Sequence, residues 1–175
     1  QVRIADVQGR KMPNGATGEI IVRGDAVMPG YWRNPAATAR ALVQGWLRTG
    51  DAGYMDADGY LYIHDRMKDM IISGGENIYP AEVENAVYSH PDVADVAVIG
   101  IPDEKWGEAV KACVVVKKGA ELDEADVIAH ARENIAGYKC PKSVDFIDEL
   151  PRNPSGKVLR RELRAPYWEG TGRSK

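Results

Sequence analysis

An α+β architecture is predicted for this chain: a strand-rich opening third, then a small domain of sheet with packed helices. Three observations predict it. Up to about Asp65, short runs alternate apolar and polar residues between turn signals. Beyond it, two long apolar strand patterns, "VADVAVIGI" and "AVKACVVV", stand between segments with helical spacing. No internal repeat or low-complexity stretch runs through the 175 residues.

Taken in order, "QVRIADV" and "GEIIVRG" read as strands, and "GYMDADGYLYI" as two aromatic-rich strands turned at Asp58-Gly59. Between them "NPAATARALV" reads as a helix, with Asn34 as N-cap and Pro35 at the first helical position, where a missing N–H costs nothing. After Asp65, "DMIIS" is a strand closed by Gly74-Gly75. "PAEVENAVYSH" is a helix opened by Pro80 and stopped before Pro91; Glu82 and Glu84 suit its positive end, and Val83, Ala86 and Val87 form the buried stripe. The two best strands follow, joined by a loop containing "PDEKWGE". Asp123 caps a helix to about Ile135, whose apolar side is Val127, Ile128, Ala131 and Ile135, and "KSVDFID" returns as a strand. Leu150 to Lys157 holds two prolines and a glycine without apolar period and reads as a loop. "KVLRREL" has room only for a short helix or turn, and the closing "EGTGRSK" is expected to fray.

Composition excludes several classes. A net charge of −3 with interspersed signs argues against a general nucleic-acid binder, which carries a basic excess. The two cysteines, Cys113 and Cys140, lack the spacing of a disulfide framework or a zinc site, which fits a reducing cytosol. His64, His90 and His130 show no mutual spacing suggestive of a metal, so no metal site is expected. No apolar run reaches the roughly 20 residues that span a bilayer. The chain lacks an initial Met and opens directly in strand-like alternation, so it is expected to begin inside a larger protein.

Three stretches can carry chemistry. In "GWLRTGD", Asp51 follows Thr-Gly at an expected strand end; its carboxylate either accepts hydrogen bonds from a vicinal diol such as a ribose or simply terminates a turn. In "HDRMKDMIISGGENIYP", the paired glycines either permit close approach of a linear ligand or make a tight connection into the next helix. In "RNPSGKVLRREL", the Walker phosphate-loop pattern fails, because Pro151 and Val158 stand where Gly and Ser or Thr are required. What remains is Lys157 on a loop stiffened by Pro151 and Pro154, either a point charge aimed at an anion or a surface residue. Trp106 in "DEKWGE" reads as a loop anchor rather than a stacking platform.

The order and spacing of "GEIIVRG…MPGYWRNPAAT", "GWLRTGD…GYLYIHDRMKDMIISGGENIYPAEVE", "VAVIGIPDEKWGEAVKACVV" and "YKCPKSVDFIDELPRNPSGKVLRREL" resemble the C-terminal third of AMP-forming acyl-CoA synthetases. That superfamily also contains peptide-synthetase adenylation domains and beetle luciferases, and the resemblance covers essentially the whole chain. It implies a fatty or medium-chain acyl-CoA ligase that makes an acyl-adenylate from a carboxylic acid and ATP, then passes the acyl group to CoA. By resemblance, Asp51 and Arg66 bind the nucleotide ribose, Lys68 is the hinge, and Gly74, Gly75, Glu76 and Asn77 line the pantetheine tunnel. Lys157 is the adenylation lysine, bridging substrate carboxylate and α-phosphate. Residues 1–65 would then be the β-rich end of a large N-terminal domain and residues 66–175 a small mobile C-terminal lid. The family's phosphate loop, acid-binding segment and most of its ATP-magnesium contacts are absent from this sequence and are expected in that missing N-terminal domain. The piece alone is therefore expected to be inactive. Cysteine usage and the lack of a bilayer-spanning run lead to the expectation of a cytoplasmic protein, with peripheral contact to a membrane left open. Its rivals are an adenylation domain loading a carrier protein and a non-catalytic module of the same fold that binds a partner or nucleotide.

Overall fold

Alternation in the opening third produces an antiparallel sheet. Its strands are β1 (Val2–Ala5), β2 (Gly18–Val22), β3 (Leu42–Val43), β4 (Trp46–Met55) and β5 (Leu61–Arg66), in the order β1-β2-β4-β3 with β5 also paired to β4. Helix α1 (Pro35–Ala41) is capped as its sequence suggests: Asn34 Oδ1 accepts from the Ala37 amide at 3.0 Å. It stops earlier than expected, because Leu42 and Val43 leave it to pair with Leu47 and Trp46 as β3. Gln44 and Gly45, both at positive φ, make the two-residue turn that this reversal needs. The β4–β5 turn is fixed by Asp56, whose Oδ1 accepts from the Tyr60 amide at 2.8 Å, and by Gly59 at φ +88°.

The computed structural model describes residues 1–171 and divides into two units, Gln1–Lys68 and a second from Asp69 onward. A 3-10 turn, Met67–Asp69, carries the chain from one to the other. The second unit is built on β6 (Ile71–Ser73), β7 (Glu76–Ile78), β8 (Val93–Asp103), β9 (Gly107–Val116) and β10 (Ser143–Phe146). Its centre is β9, antiparallel to β8 along its length, parallel to β10, and paired to β6 at Ser73–Gly107. Helices α2 (Pro80–Tyr88), α3 (Glu124–Asn134) and α4 (Arg160–Trp168) complete it.

Period-two alternation sorts this sheet into two apolar layers. Val96, Val98, Val110, Ala112, Val114 and Val144 join Val83 and Val87 of α2 and Val127 and Ala131 of α3. The intervening Ala97, Ile99 and Cys113 join Leu150, with Val158, Leu163 and Tyr167 packed against them. Helix α4 thus packs Leu163 and Tyr167 on the second layer; of the short helix or turn expected it is the helix, and it continues past that stretch through Pro166. Its anchors are Arg160 on Glu84 at 2.8 Å, Arg164 on Asp69 at 3.2 Å and Trp168 Nε1 on the Gly100 carbonyl at 3.0 Å. Glu84, expected to serve the α2 dipole, instead accepts from the Val98 amide and from Arg160. Of the closing segment expected to fray, residues 172–175 lie outside the described residues, and Thr171 Oγ1 donates to the Trp168 carbonyl at 2.8 Å.

One polar group sits inside the second layer. Lys111, 6% exposed, places Nζ 2.6 Å from Asp145 Oδ1, and the Tyr167 hydroxyl donates to the other oxygen of that carboxylate. Burial pulls the Asp145 pKa up, but the Lys111 ammonium and the Tyr167 hydroxyl outweigh it and hold the group below its ordinary value. Burial and the same carboxylate push Tyr167 up to about 12, and burial pushes the Cys113 thiol up to about 11. Because the folded Asp145 is the stronger acid, its contribution to stability is complete above the ordinary carboxylate range near pH 4 and is lost as pH falls through the folded value. Asp145→Asn is expected to cost about 2 kcal/mol at pH 7, the low side for a buried pair because water reaches Asp145. Urea denaturation at pH 7 and pH 3 checks this: the difference from the parent should shrink at the lower pH.

Among the described residues no helix is long and apolar enough to cross a membrane. Both cysteines are buried and free.

Candidate functional site

In the first unit, the β4–β5 register sets Asp51 directly opposite Arg66. Arg66 Nε lies 3.1 Å from Asp51 Oδ1, so two residues 15 positions apart in sequence form one polar pair. Asp51 is not at a strand end, as the sequence suggested, but inside β4, whose pairing to β5 continues past a register shift between Ala52 and Gly53. The strand around it is braced. Thr49 Oγ1 donates to the Ile20 carbonyl at 2.7 Å and accepts from the Asp51 amide at 3.0 Å, while Glu19, nearly buried, accepts from Arg48 and from the Gly50 amide. The second oxygen of Asp51 has no hydrogen-bond partner among the described residues, which leaves it able to accept from a hydroxyl. Lys68 is exposed in the 3-10 turn and is the last residue of the first unit.

The second unit carries the other predicted residues. β6 and β7 form a hairpin whose two turn residues are Gly74 and Gly75, at φ +62° and +86°; Glu76 and Asn77, expected in a loop, are strand residues paired with Ser73 and Ile72. Two successive positive φ values define the turn that best matches strand twist, and glycine adopts them without a Cβ penalty. Gly74 has a second constraint, because a Cβ there would sit 2.8 Å from the Trp106 ring. Trp106 is held by the Asp103 carboxylate, which accepts from its amide at 2.8 Å, and the Gly74 amide donates to the Trp106 carbonyl at 2.9 Å. A Cβ on Gly75 would meet nothing within 4 Å, so that position borders open space.

Lys157 stands on a closed turn. An isolated bridge joins Arg152 to Val158, and the Leu159 amide donates to the Pro151 carbonyl at 2.8 Å. Asn153 organises what lies between: its Oδ1 accepts from the Ser155 amide, the Ser155 hydroxyl and the Lys157 amide, and its own amide donates to the Lys157 carbonyl at 2.9 Å. Gly156 at φ +82° closes the turn. Pro151 and Pro154 flank this segment, and the side chain of Asn153 adds three hydrogen bonds within it. The missed signal was the Asn-Pro-Ser-Gly order, an Asx-turn sequence. The backbone of Lys157 is held at both N and O, whereas its exposed ammonium has no partner among the described residues. Val158 packs on the α4 side of the sheet and Ile71 and Ile78, which flank the glycine hairpin, on the α2–α3 side.

Two further placements differ from expectation. His90 and His130, given no mutual relation by sequence, meet edge to face with ring centroids 4.9 Å apart. Ser89 Oγ, which donates to the Ala86 carbonyl, lies 2.8 Å from His130 Nε2. No group of three or more His, Cys, Asp or Glu side chains converges among the described residues.

Comparison with known proteins gives a consistent result. Residues 82–157 match the family described as the AMP-binding enzyme C-terminal domain. A feruloyl-CoA synthase from Amycolatopsis is 53% identical over 166 residues, 95% of this chain and 34% of that protein. A fatty acid–[acyl-carrier-protein] ligase, ScoC, from Streptomyces coeruleorubidus is 48% identical over 98% of this chain and 33% of its own length. Among solved structures, ATP-bound MatB from Rhodopseudomonas palustris superposes with a TM-score of 0.90 at 42% identity, over 97% of this chain and 34% of that one. The chain therefore spans about a third of the length of the curated relatives it matches.

Proposed function

Because the chain belongs to the AMP-binding enzyme C-terminal domain family, and by its relatives to the adenylate-forming CoA and carrier-protein ligases, we propose that it is the C-terminal part of an ATP-dependent acyl-CoA synthetase. In this reading Asp51 and Arg66 hold the ribose, the arginine orienting the carboxylate through one oxygen while the second oxygen accepts from the sugar. Residues 69 onward act as a lid that turns about Lys68. Lys157 stabilises the charge that moves between the acid and the α-phosphate as the acyl-adenylate forms. The Gly74–Gly75 hairpin, on the other layer of the same unit, borders the path of the acceptor thiol once the lid has turned. Magnesium would arrive with ATP; among the described residues no group of three or more His, Cys, Asp or Glu is placed to hold it.

The observation that carries this reading is the Lys157 turn: a backbone fixed at both ends of the residue beneath an ammonium left unpaired. A fixed backbone limits how far such a cation must travel to meet charge that develops beside it. The test is an assay of the complete ligase carrying this chain against a panel of carboxylic acids with ATP and CoA, scoring acid-dependent AMP release. Release with a fatty or aromatic acid supports the proposal; none with any acid removes it. Carrier-protein loading is the second reading, favoured by the 48% identity to ScoC. Replacing CoA by a pantetheinylated carrier protein separates the two, since only the true acceptor gives multiple turnovers. For the ribose assignment, Asp51→Ala should raise the KM for ATP about tenfold, the loss of a charge-assisted hydrogen bond, with a smaller effect on kcat.

A further inference from the structure

The turn that carries Lys157 is closed mostly on itself. Leu150 and Val158 seat its two stems in the second apolar layer, and Asn153 fixes its shape from within. Internal bonds set the form of a turn but not its direction relative to the sheet. For residues 153–157, one side chain outside that tip supplies the tie. Arg152 Nη1 donates to the Gly156 carbonyl at 2.7 Å, and its Nη2 donates to Asp95 Oδ2 at 2.6 Å. Among the described residues, the tip makes no other hydrogen bond beyond itself.

Both acceptors are significant for Lys157. The Gly156 carbonyl belongs to the peptide group whose nitrogen is that of Lys157, so holding it orients the lysine Cα directly. Asp95 lies in β8, next to the strand pairing that restarts after the shift between Val93 and Asp95, and its own carboxylate is steadied because Oδ1 accepts from the Val96 amide at 3.0 Å. One planar guanidinium therefore spans the turn and the sheet with two separate N–H groups. A lysine, a compact charge on a flexible stem, does not reproduce that fork.

We infer that Arg152, anchored by Asp95, is a positioning residue for acyl-adenylate formation: it sets where the ammonium of Lys157 stands without touching substrate. The inference rests on the adenylation reading above. The pair is partly exposed, 43% and 36% for the two side chains, and exposed ion pairs contribute little to folding. A ligand-like precision is a different matter, because a misplacement of about 1 Å in a catalytic group can cost on the order of 100-fold in rate. Stability and chemistry therefore separate in the test.

In the complete ligase, Arg152→Ala is expected to lower kcat for acid-dependent pyrophosphate exchange about 10- to 100-fold. The KM for ATP, thioester formation from supplied acyl-adenylate, and Tm (within about 2 °C) should hardly move. Arg152→Lys should restore only part of the loss. Asp95→Asn should lose less than Arg152→Ala, and the double variant no more than Arg152→Ala alone, since both act through one tie. Amide hydrogen exchange at Lys157 should quicken in Arg152→Ala. Lys157→Ala is the reference. If it abolishes pyrophosphate exchange while Arg152→Ala leaves kcat unchanged, the positioning role is wrong. It is equally wrong if both half-reactions and Tm fall together in Arg152→Ala. If Lys157→Ala itself leaves the exchange intact, the adenylation reading fails, and this inference with it.

Discussion

Lys157→Ala is expected to lower the rate of acyl-adenylate formation by about 100- to 1,000-fold, the cost of removing one preorganised donor from a site of developing charge. Thioester formation from supplied acyl-adenylate should stay close to the parent rate. The physical ground is the asymmetry at this residue, whose peptide is bound at N and O while its ammonium has no partner among the described residues. Removing the side chain breaks no bond that holds the turn, so a loss of activity reads chemistry and not folding. Pyrophosphate exchange reports the first half-reaction, and transfer from a synthetic acyl-adenylate reports the second. Equal loss in both would mean that Lys157 serves binding of the adenylate in general, and the division of labour between the two layers of the domain would have to be given up.

Gly75→Leu should do the opposite, lowering thioester formation about 100-fold while adenylate formation persists. Here a control is built into the backbone. At φ +86° any residue with a Cβ carries a penalty of about 1 to 2 kcal/mol, and alanine carries it as leucine does. A Cβ at this position meets no neighbour within 4 Å, so the alanine variant adds no clash inside the unit. Gly75→Ala therefore measures the strain, and the difference between the alanine and leucine variants measures bulk in the path of the thiol. A leucine variant no worse than alanine in thioester output, or one whose pyrophosphate exchange fell equally far, would remove the hairpin from that path. The neighbouring Gly74 is a poor choice for this experiment, because a side chain there collides with Trp106.

Local chemistry made much of the fold readable. Asn34 and Asp123 cap α1 and α3 as their types predict, Pro80 opens α2, and the two apolar runs become the paired β8 and β9. What local spacing does not encode is which residues meet across strands. Asp51 faces Arg66 only through a register that includes an irregularity at Ala52–Gly53. Lys111 meets Asp145 through a parallel pairing that spans the whole of α3, and His90 meets His130 through the packing of separate elements. The extension of helix α4 beyond the short helix or turn expected there was hidden for a different reason. Pro166 lowers its local propensity, and the helix is held from outside by Arg160, Arg164, Tyr167 and Trp168. For the candidate site, the roles proposed for Asp51, Arg66 and Lys157 come from the family resemblance that the order of motifs carries, whereas the hydrogen bonds around them, from Asn153, Arg152 and Thr49, depend on three-dimensional pairing.

The split of the second sheet into two apolar layers also bears on how the polypeptide is made. The layer over α2 and α3 is finished by the time Val144 has left the ribosome, but Ala97, Ile99 and Cys113 stay wet until Leu150 and then α4 emerge. A nascent chain halted between those points exposes an oily sheet surface, the kind that chaperones grip and that drives clumping of unfinished products.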